Sequence, residues 1–189
     1  MFNLLTGPQL LDRVEELLPE HRERLFPPTE TLSMFLAQSL SADGSCQQVV
    51  NDAMVKRMIG GLKPGKTNTG GYCKARARLP LTMVSTLAIQ TGEIVAQGVA
   101  SWWHWHGRQV RLVDGATVTL PDTEENQAEY PQSNSQKEGL GFPICRLVAL
   151  LCLGSGALLN AATGPCKGKG SDEQSLLRSI LDTLKGDDI

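Results

Sequence analysis

A carboxylate set inside a β-branched, apolar run constrains this chain more than any other feature. Val110-Arg111-Leu112-Val113-Asp114-Gly115-Ala116-Thr117-Val118-Thr119-Leu120 alternates apolar Val110 and Leu112 with Arg111, as a half-buried strand does. Asp114 shares the face of Val110 and Leu112, so it is expected to point toward the core or into a cleft at the strand's rim. An unpaired charge there is costly, and it calls for hydrogen-bond donors or a divalent cation. Gly115 is expected to leave room beside it for a ligand. The same window also has a plainer reading, an Asp that ends a strand and opens a turn.

Around this stretch the chain divides by character. With 189 residues, 41% hydrophobic and 20% charged, it has the composition of an ordinary globular protein, one large domain or two small ones. The net charge of −2 hides a local excess. Lys56, Arg57, Lys63, Lys66, Lys74, Arg76 and Arg78 lie in a segment without a single acid, the place where a polyanion would be held. Five cysteines in no CxxC pair, without a signal peptide, fit reduced thiols in the cytoplasm. The apolar stretch from Cys145 to Gly164 is broken by Gly154-Ser155-Gly156, so two short strands and a turn are expected there rather than a membrane span.

Helical spacing dominates the first half. Thr6-Gly7-Pro8 opens a helix carrying Leu10, Leu11, Val14, Leu17 and Leu18, which Pro19 and then Pro27-Pro28 close. A second helix is expected from about Thr31 to Leu40. Ser45-x-x-Gln48 caps a third with Val49, Val50, Ala53, Met54 and Ile59. A fourth ends near Leu79 before Pro80, and a fifth runs from Leu81 to about Val99. Lys74 and Arg78, four apart with Arg76 nearby, form either a solvated helix face or a phosphate-contacting one. Trp102-Trp103-His104-Trp105-His106 lacks the Cys or carboxylates of a metal site. Aromatic packing between the helical half and the strand half is expected there instead.

Gly60-Gly61-Leu62-Lys63-Pro64-Gly65-Lys66-Thr67 matches the phosphate-loop pattern letter for letter. That chemistry needs a buried strand before the loop and a helix starting at Lys-Thr. Here the run before it is helical and the run after it is loop, so nucleotide binding is not expected.

After Gly107 come the Asp114 strand, a polar loop at 121–143, a strand Ile144–Leu153, a turn, a return strand Ala157–Thr163, and a helix. Ser171-x-x-Gln174 is expected to cap that helix, with Leu176, Leu177, Ile180, Leu181 and Leu184 as its stripe. The fold class expected is α+β, with a helical domain at 1–107 and a strand domain at 108–189.

The block Val113 to Thr123, with Asn126-Gln127, Tyr130-Pro131-Gln132, Ser135-Gln136-Lys137 and Gly139-Leu140-Gly141-Phe142-Pro143, resembles the catalytic-domain opening of DDE transposases of the insertion-sequence-four type. Phe35, Gln38, Leu40, Ser45-Cys46, Tyr72-Cys73-Lys74-Ala75-Arg76 and Arg78-Leu79-Pro80 resemble the amino-terminal region of that group. The resemblance runs from about Thr31 to the end. It implies a ribonuclease-H-like fold and a DNA strand-cutting and strand-joining enzyme in which three carboxylates hold two Mg²⁺ or Mn²⁺ ions about 4 Å apart. Asp114 matches the first acid and would be both catalytic residue and metal ligand. The second belongs on the strand after the last helix, and neither Asp187 nor Asp188 takes that role. Glu173, in the first turn of that helix, reads as structural. The expected protein is an amino-terminal, catalytically incomplete piece of a transposase. Its partners would be transposon-end DNA, held through Lys74, Arg76 and Arg78, and full-length transposase or itself, with no membrane and no nucleotide. The alternative is a non-catalytic DNA-binding or inhibitory protein derived from one.

Overall fold

The computed structural model describes residues 8–18, 25–135, 137 and 139–189. They form two compact units, Met1–Leu87 and Ala88–Ile189. The helix opening at Thr6-Gly7, the Pro19 stop and Gln136 lie outside the described residues. The architecture is mixed helix and antiparallel sheet, α+β.

The first unit is helical: α1 (Pro8–Glu16), α2 (Pro28–Leu40), α3 (Cys46–Ile59), α4 (Gly70–Arg76) and the start of α5 (Leu81–Gln97). Pro27-Pro28 does not close an earlier element. Pro28 instead begins α2, where its missing N–H costs nothing, and buried Thr31 turns its hydroxyl back to donate to Pro27 O at 2.8 Å. Ser45 caps α3 as its sequence indicates, its side chain accepting from the Gln48 N–H. The apolar stripes of α2, α3 and α4 meet in a core of Met34, Val49, Val50, Ala53, Met54, Tyr72 and Ala75, with Phe26 edge-on to Tyr72 at 6.2 Å. A second cluster joins Val14 of α1 to Met83 and Leu87 of α5.

In the second unit β1 (Arg111–Thr119), β2 (Ile144–Cys152) and β3 (Leu158–Pro165) form an antiparallel sheet in the order β1-β2-β3. The expected turn between β2 and β3 is there, with Gly156 at φ +69°. The sheet packs its Leu150, Cys152 and Leu159 against Ala96 of α5 and against Ile180, just beyond α7 (Glu173–Ser179). Gly92 brings α5 directly onto β3: a Cβ there would stand 1.7 Å from the Leu158 carbonyl oxygen. The chain changes composition at Gly107, yet the units divide at Leu87/Ala88, because the later turns of α5 belong to the core of the sheet.

Two sequence expectations for the last helix are corrected. Its N-cap is Asp172, which accepts from the Ser175 N–H at 3.0 Å, while Ser171 is buried and donates to Gly168 O at 2.9 Å. The helix also stops at Ser179 and gives way to a short turn, Leu181–Thr183, leaving Leu181 and Leu184 exposed.

The polar stretch between β1 and β2 is more ordered than its composition suggests. It contains α6 (Glu124–Glu129), capped by Thr123. Asn126 donates to Pro121 O, and Gln127 donates to Asp122 and to Gly141 O. The Gln132 side-chain Oε1 accepts from the backbone N–H groups of Gly139 and Gly141. The amides and glycines that stand out in the sequence of this loop are thus its internal hydrogen-bonding framework.

Candidate functional site

Asp114 is placed by strand alternation. β1 pairs with β2 along its whole length, with Asp114 opposite Ala149. The neighbouring Gly115 faces α7: a Cβ on it would come within 2.8–3.1 Å of the Glu173 carboxyl group. Asp114 therefore lies on the opposite face of the sheet from α7, and its side chain is exposed. The expectation that it points into the core or a cleft is overturned, because the covering helices take the other face. Nor is the space at Gly115 left for a ligand, since Glu173 fills it. Among the described residues no group of three or more His, Cys, Asp or Glu could hold a metal ion, and Asp114 is one carboxylate without a second beside it in such a group. The residues present do not make a two-ion site.

β1 is also the open side of the sheet. Every residue from Leu112 to Thr119 is exposed, including Leu112, Val113 and Val118, whereas β2 is buried at alternate positions. At one end the edge has already taken a partner. The Arg111 N–H donates to Ile189 O at 2.6 Å, and the Ile189 N–H donates to Gln109 O at 3.0 Å. These are the two bonds of a parallel bridge centred on Val110. By alternation the N–H and C=O groups of Val113, Gly115 and Thr117 point the same way, away from β2.

A buried ion pair holds that junction. Arg111 Nη2 lies 2.9 Å from Asp188 Oδ1, with the two side chains 8% and 6% exposed. Glu93, Gln109, Lys185 and Asp187 line a cavity of about 240 Å³ around the pair. The second Asp188 oxygen accepts from the Lys185 N–H, closing the turn that delivers Ile189 to β1. Sequence alone sees Asp187-Asp188 only as a helix end. Its link to Arg111 joins opposite ends of the unit and has no local signal.

The basic residues of the helical unit divide by role. Lys74 and Arg78 are exposed. Arg76 is turned inward: its guanidinium lies 5.6 Å from the centre of the Phe35 ring and 5.8 Å from that of Tyr72, and Nη1 donates to Gln38 Oε1 at 3.1 Å. The Tyr72 hydroxyl donates to the same oxygen at 2.7 Å. Burial pushes the Tyr72 phenol up, against the pull of the Arg76 charge, so the neutral phenol is the donor. The Gln38 amide group in turn donates to Gly44 O and the Cys46 sulfur. Cys46 and Cys73 lie 4.0 Å apart as free thiols, and burial and this contact raise the Cys73 thiol. Phe35, Gln38, Cys46, Tyr72 and Arg76 thus form one side-chain network tying α2, α3 and α4 together.

The phosphate-loop lookalike follows helix α3 rather than a strand, and Lys66 is exposed. The loop is pinned at Gly65, whose N–H donates to Met54 Sδ. The tryptophans do not pack as expected: Trp102, Trp103 and Trp105 are 75%, 48% and 59% exposed. Among the described residues no single helix is long and apolar enough to cross a membrane.

Compared with known proteins, the chain is 41% identical over 86 residues to a protein of Escherichia coli (strain K12) described as "Putative transposase InsZ". The matched region is 45% of this chain and 28% of that protein, so the chain spans little more than a quarter of the relative's length. No family model matches the chain, and no solved structure does. The similarity marks the chain as transposase-related.

Proposed function

We propose that this protein acts in DNA transposition, with a helical unit that holds DNA and a sheet unit that forms the opening of a ribonuclease-H-like catalytic domain of the DDE type. The observation that carries this reading is the 41% identity to a transposase over 86 residues. The topology supports it. Three antiparallel strands in the order β1-β2-β3 are followed by α7 and by a parallel bridge from Ile189 onto the outer edge of β1. A fourth strand placed parallel to β1 on that edge is what a ribonuclease-H-like sheet requires.

In this reading Asp114 is the first of the metal-holding carboxylates, and Mg²⁺ or Mn²⁺ is the ion its hard oxygen suits. Such ions, held by Asp114 together with further acids, would supply the charge stabilisation that strand cutting and joining needs. Asp114 would supply one ligand of the set, with the second acid on a strand seated at the β1 edge and the third further along. Lys74 and Arg78 are the phosphate contacts, and Arg76 is the residue that positions α4 beneath them. A cytoplasmic setting with free thiols accords with this. The open β1 edge also favours a second reading, in which the chain pairs with full-length transposase and modulates it without cutting DNA itself.

The test uses linear duplex DNA with Mg²⁺ or Mn²⁺. The 189-residue protein is expected to bind the duplex and leave it uncut. Extended through its downstream coding sequence, it is expected to nick DNA, and Asp114→Asn to abolish nicking while leaving binding intact. Cutting by the unextended protein, or an extended protein indifferent to Asp114→Asn, contradicts the proposal.

A further inference from the structure

All three tryptophans of the chain and two of its three histidines fall between Trp102 and His106, and the structure holds the three tryptophans outward while His104 turns partly inward. Ser101–Trp103 is a short 3₁₀ turn in which the Trp102 and Trp103 rings lie 4.9 Å apart and tilted by 32°. Trp105 and Arg108 then exchange both backbone hydrogen bonds at 2.9 Å, around His106 and Gly107 at φ +49° and +79°. Two positive φ values in a two-residue loop make a tight hairpin of the type that matches strand twist. His106 keeps this conformation although a non-glycine residue is disfavoured there. The turn sets the Trp105 ring edge-on to His106 at 4.3 Å. From behind, Trp103 Cβ packs so closely on Gly154 that a Cβ on that glycine would stand 3.2 Å away.

The surroundings decide what such rings can take. Along the sequence from Ser101 to Val113 there is no acidic residue and Arg108 is exposed, while Glu93 and Asp187 share with His104 and Gly107 the cavity beside Arg111. No aliphatic side chain is interleaved between Trp102 and Arg108, so the patch offers flat π faces and positive charge rather than a greasy surface. We infer that Trp102, Trp103 and Trp105, with Arg108, form a stacking platform for unpaired nucleotides of single-stranded DNA. Bases stack on exposed aromatic rings in a sequence-tolerant way, and a neighbouring cation follows the phosphates. The inference rests on the proposed action on DNA, since cutting and joining strands exposes unpaired bases. It assigns the unpaired strand to this platform and the duplex to Lys74 and Arg78.

Because every tryptophan is in the platform, emission excited selectively from tryptophan reports on it alone. A labelled oligothymidine and a duplex of equal length are titrated at low salt, reading label anisotropy and tryptophan emission together. The single strand is expected to bind and to quench the emission saturably. Trp102→Ala with Trp105→Ala is expected to weaken its binding about tenfold or more while duplex binding stays within about twofold. Both side chains are mostly exposed, and circular dichroism checks that the variant is folded. Binding of the single strand with unchanged emission, or equal binding by the variant, overturns the platform and leaves the duplex reading standing. Failure of both DNAs to bind overturns the proposed function as well. A blue-shifted emission that grows with protein concentration before DNA is added means that a second copy covers the rings, and this also overturns the platform.

Discussion

Both units draw an arginine inside, Arg76 among rings and an amide oxygen and Arg111 onto Asp188, and they differ in what they leave open. In the helical unit an arginine is drawn inside and satisfied: Arg76 sits against Phe35 and Tyr72, shares the Gln38 oxygen, and belongs to a core in which Val50 and Tyr72 are wholly buried. In the sheet unit the middle strand is covered, yet β1 stays exposed along its length and takes a partner only where Ile189 reaches Val110. A closed network makes a rigid platform for exposed Lys74 and Arg78. An open strand edge makes a place for another strand, and Asp114 lies on that strand. In the proposed function these are the holding and cutting halves of one task.

The difference can be probed by breaking each unit at its own joint, beginning with the largest expected effect. Asp188→Ala leaves Arg111 charged and buried without its acid, which typically costs about 3–5 kcal/mol. Thermal unfolding followed by hydrogen exchange should show the loss in the sheet unit, with Ile189 released from β1 and the α2–α4 amides unchanged. Uniform loss of protection in both units would mean that they do not unfold independently.

Gln38→Ala is the matching break in the helical unit. It strips the acceptor from Tyr72 and Arg76 at once, so a cost of about 2 kcal/mol is expected, read as a shift in the denaturant midpoint. Gln38→Glu keeps an acceptor for both donors and is expected to recover most of that loss. If Gln38→Ala is silent, the network is ornamental.

These side chains also show how far sequence reaches. The Ser45 cap, the β2–β3 hairpin and the presence of helix α5 were legible because each is a local pattern, fixed by a cap, a glycine turn or a 3.6-residue period. Arg76 was not separable from Lys74 and Arg78, since all three are bases on one short segment and only Gln38, far earlier in the chain, turns one of them inward. Gly115 read as room for a ligand because nothing near it in sequence announces Glu173. The exposed tryptophans failed the expectation of packing because ring size predicts burial on average, whereas the His106-Gly107 turn decides where these rings point. Ser171 and Asp172 both qualify as caps by type, and only burial chose between them.

The smallest structural effect concerns that cap. Asp172→Ala is expected to lower the stability of the sheet unit slightly, as the loss of an exposed helix cap does. Hydrogen bonds from the Ser175 side chain and backbone hold the Asp172 carboxyl below its usual value. Its contribution is therefore fully present above the ordinary carboxylate range and fades as pH falls through the lowered value. Wild type and variant should differ in stability at neutral pH and converge in strong acid. A gap that persists in acid would show that the carboxylate charge is not what caps α7.

The most direct test of the division between holding and building charges is the salt dependence of duplex binding by the whole protein. Plots of log Kobs against log salt are compared for wild type, Lys74→Ala with Arg78→Ala, and Arg76→Lys. Two lost phosphate contacts predict a slope shallower by about 2 for the double variant. Arg76→Lys is predicted to keep the wild-type slope while lowering the unfolding midpoint. An unchanged slope in the double variant, or a slope reduced by Arg76→Lys at unaltered stability, would contradict the account.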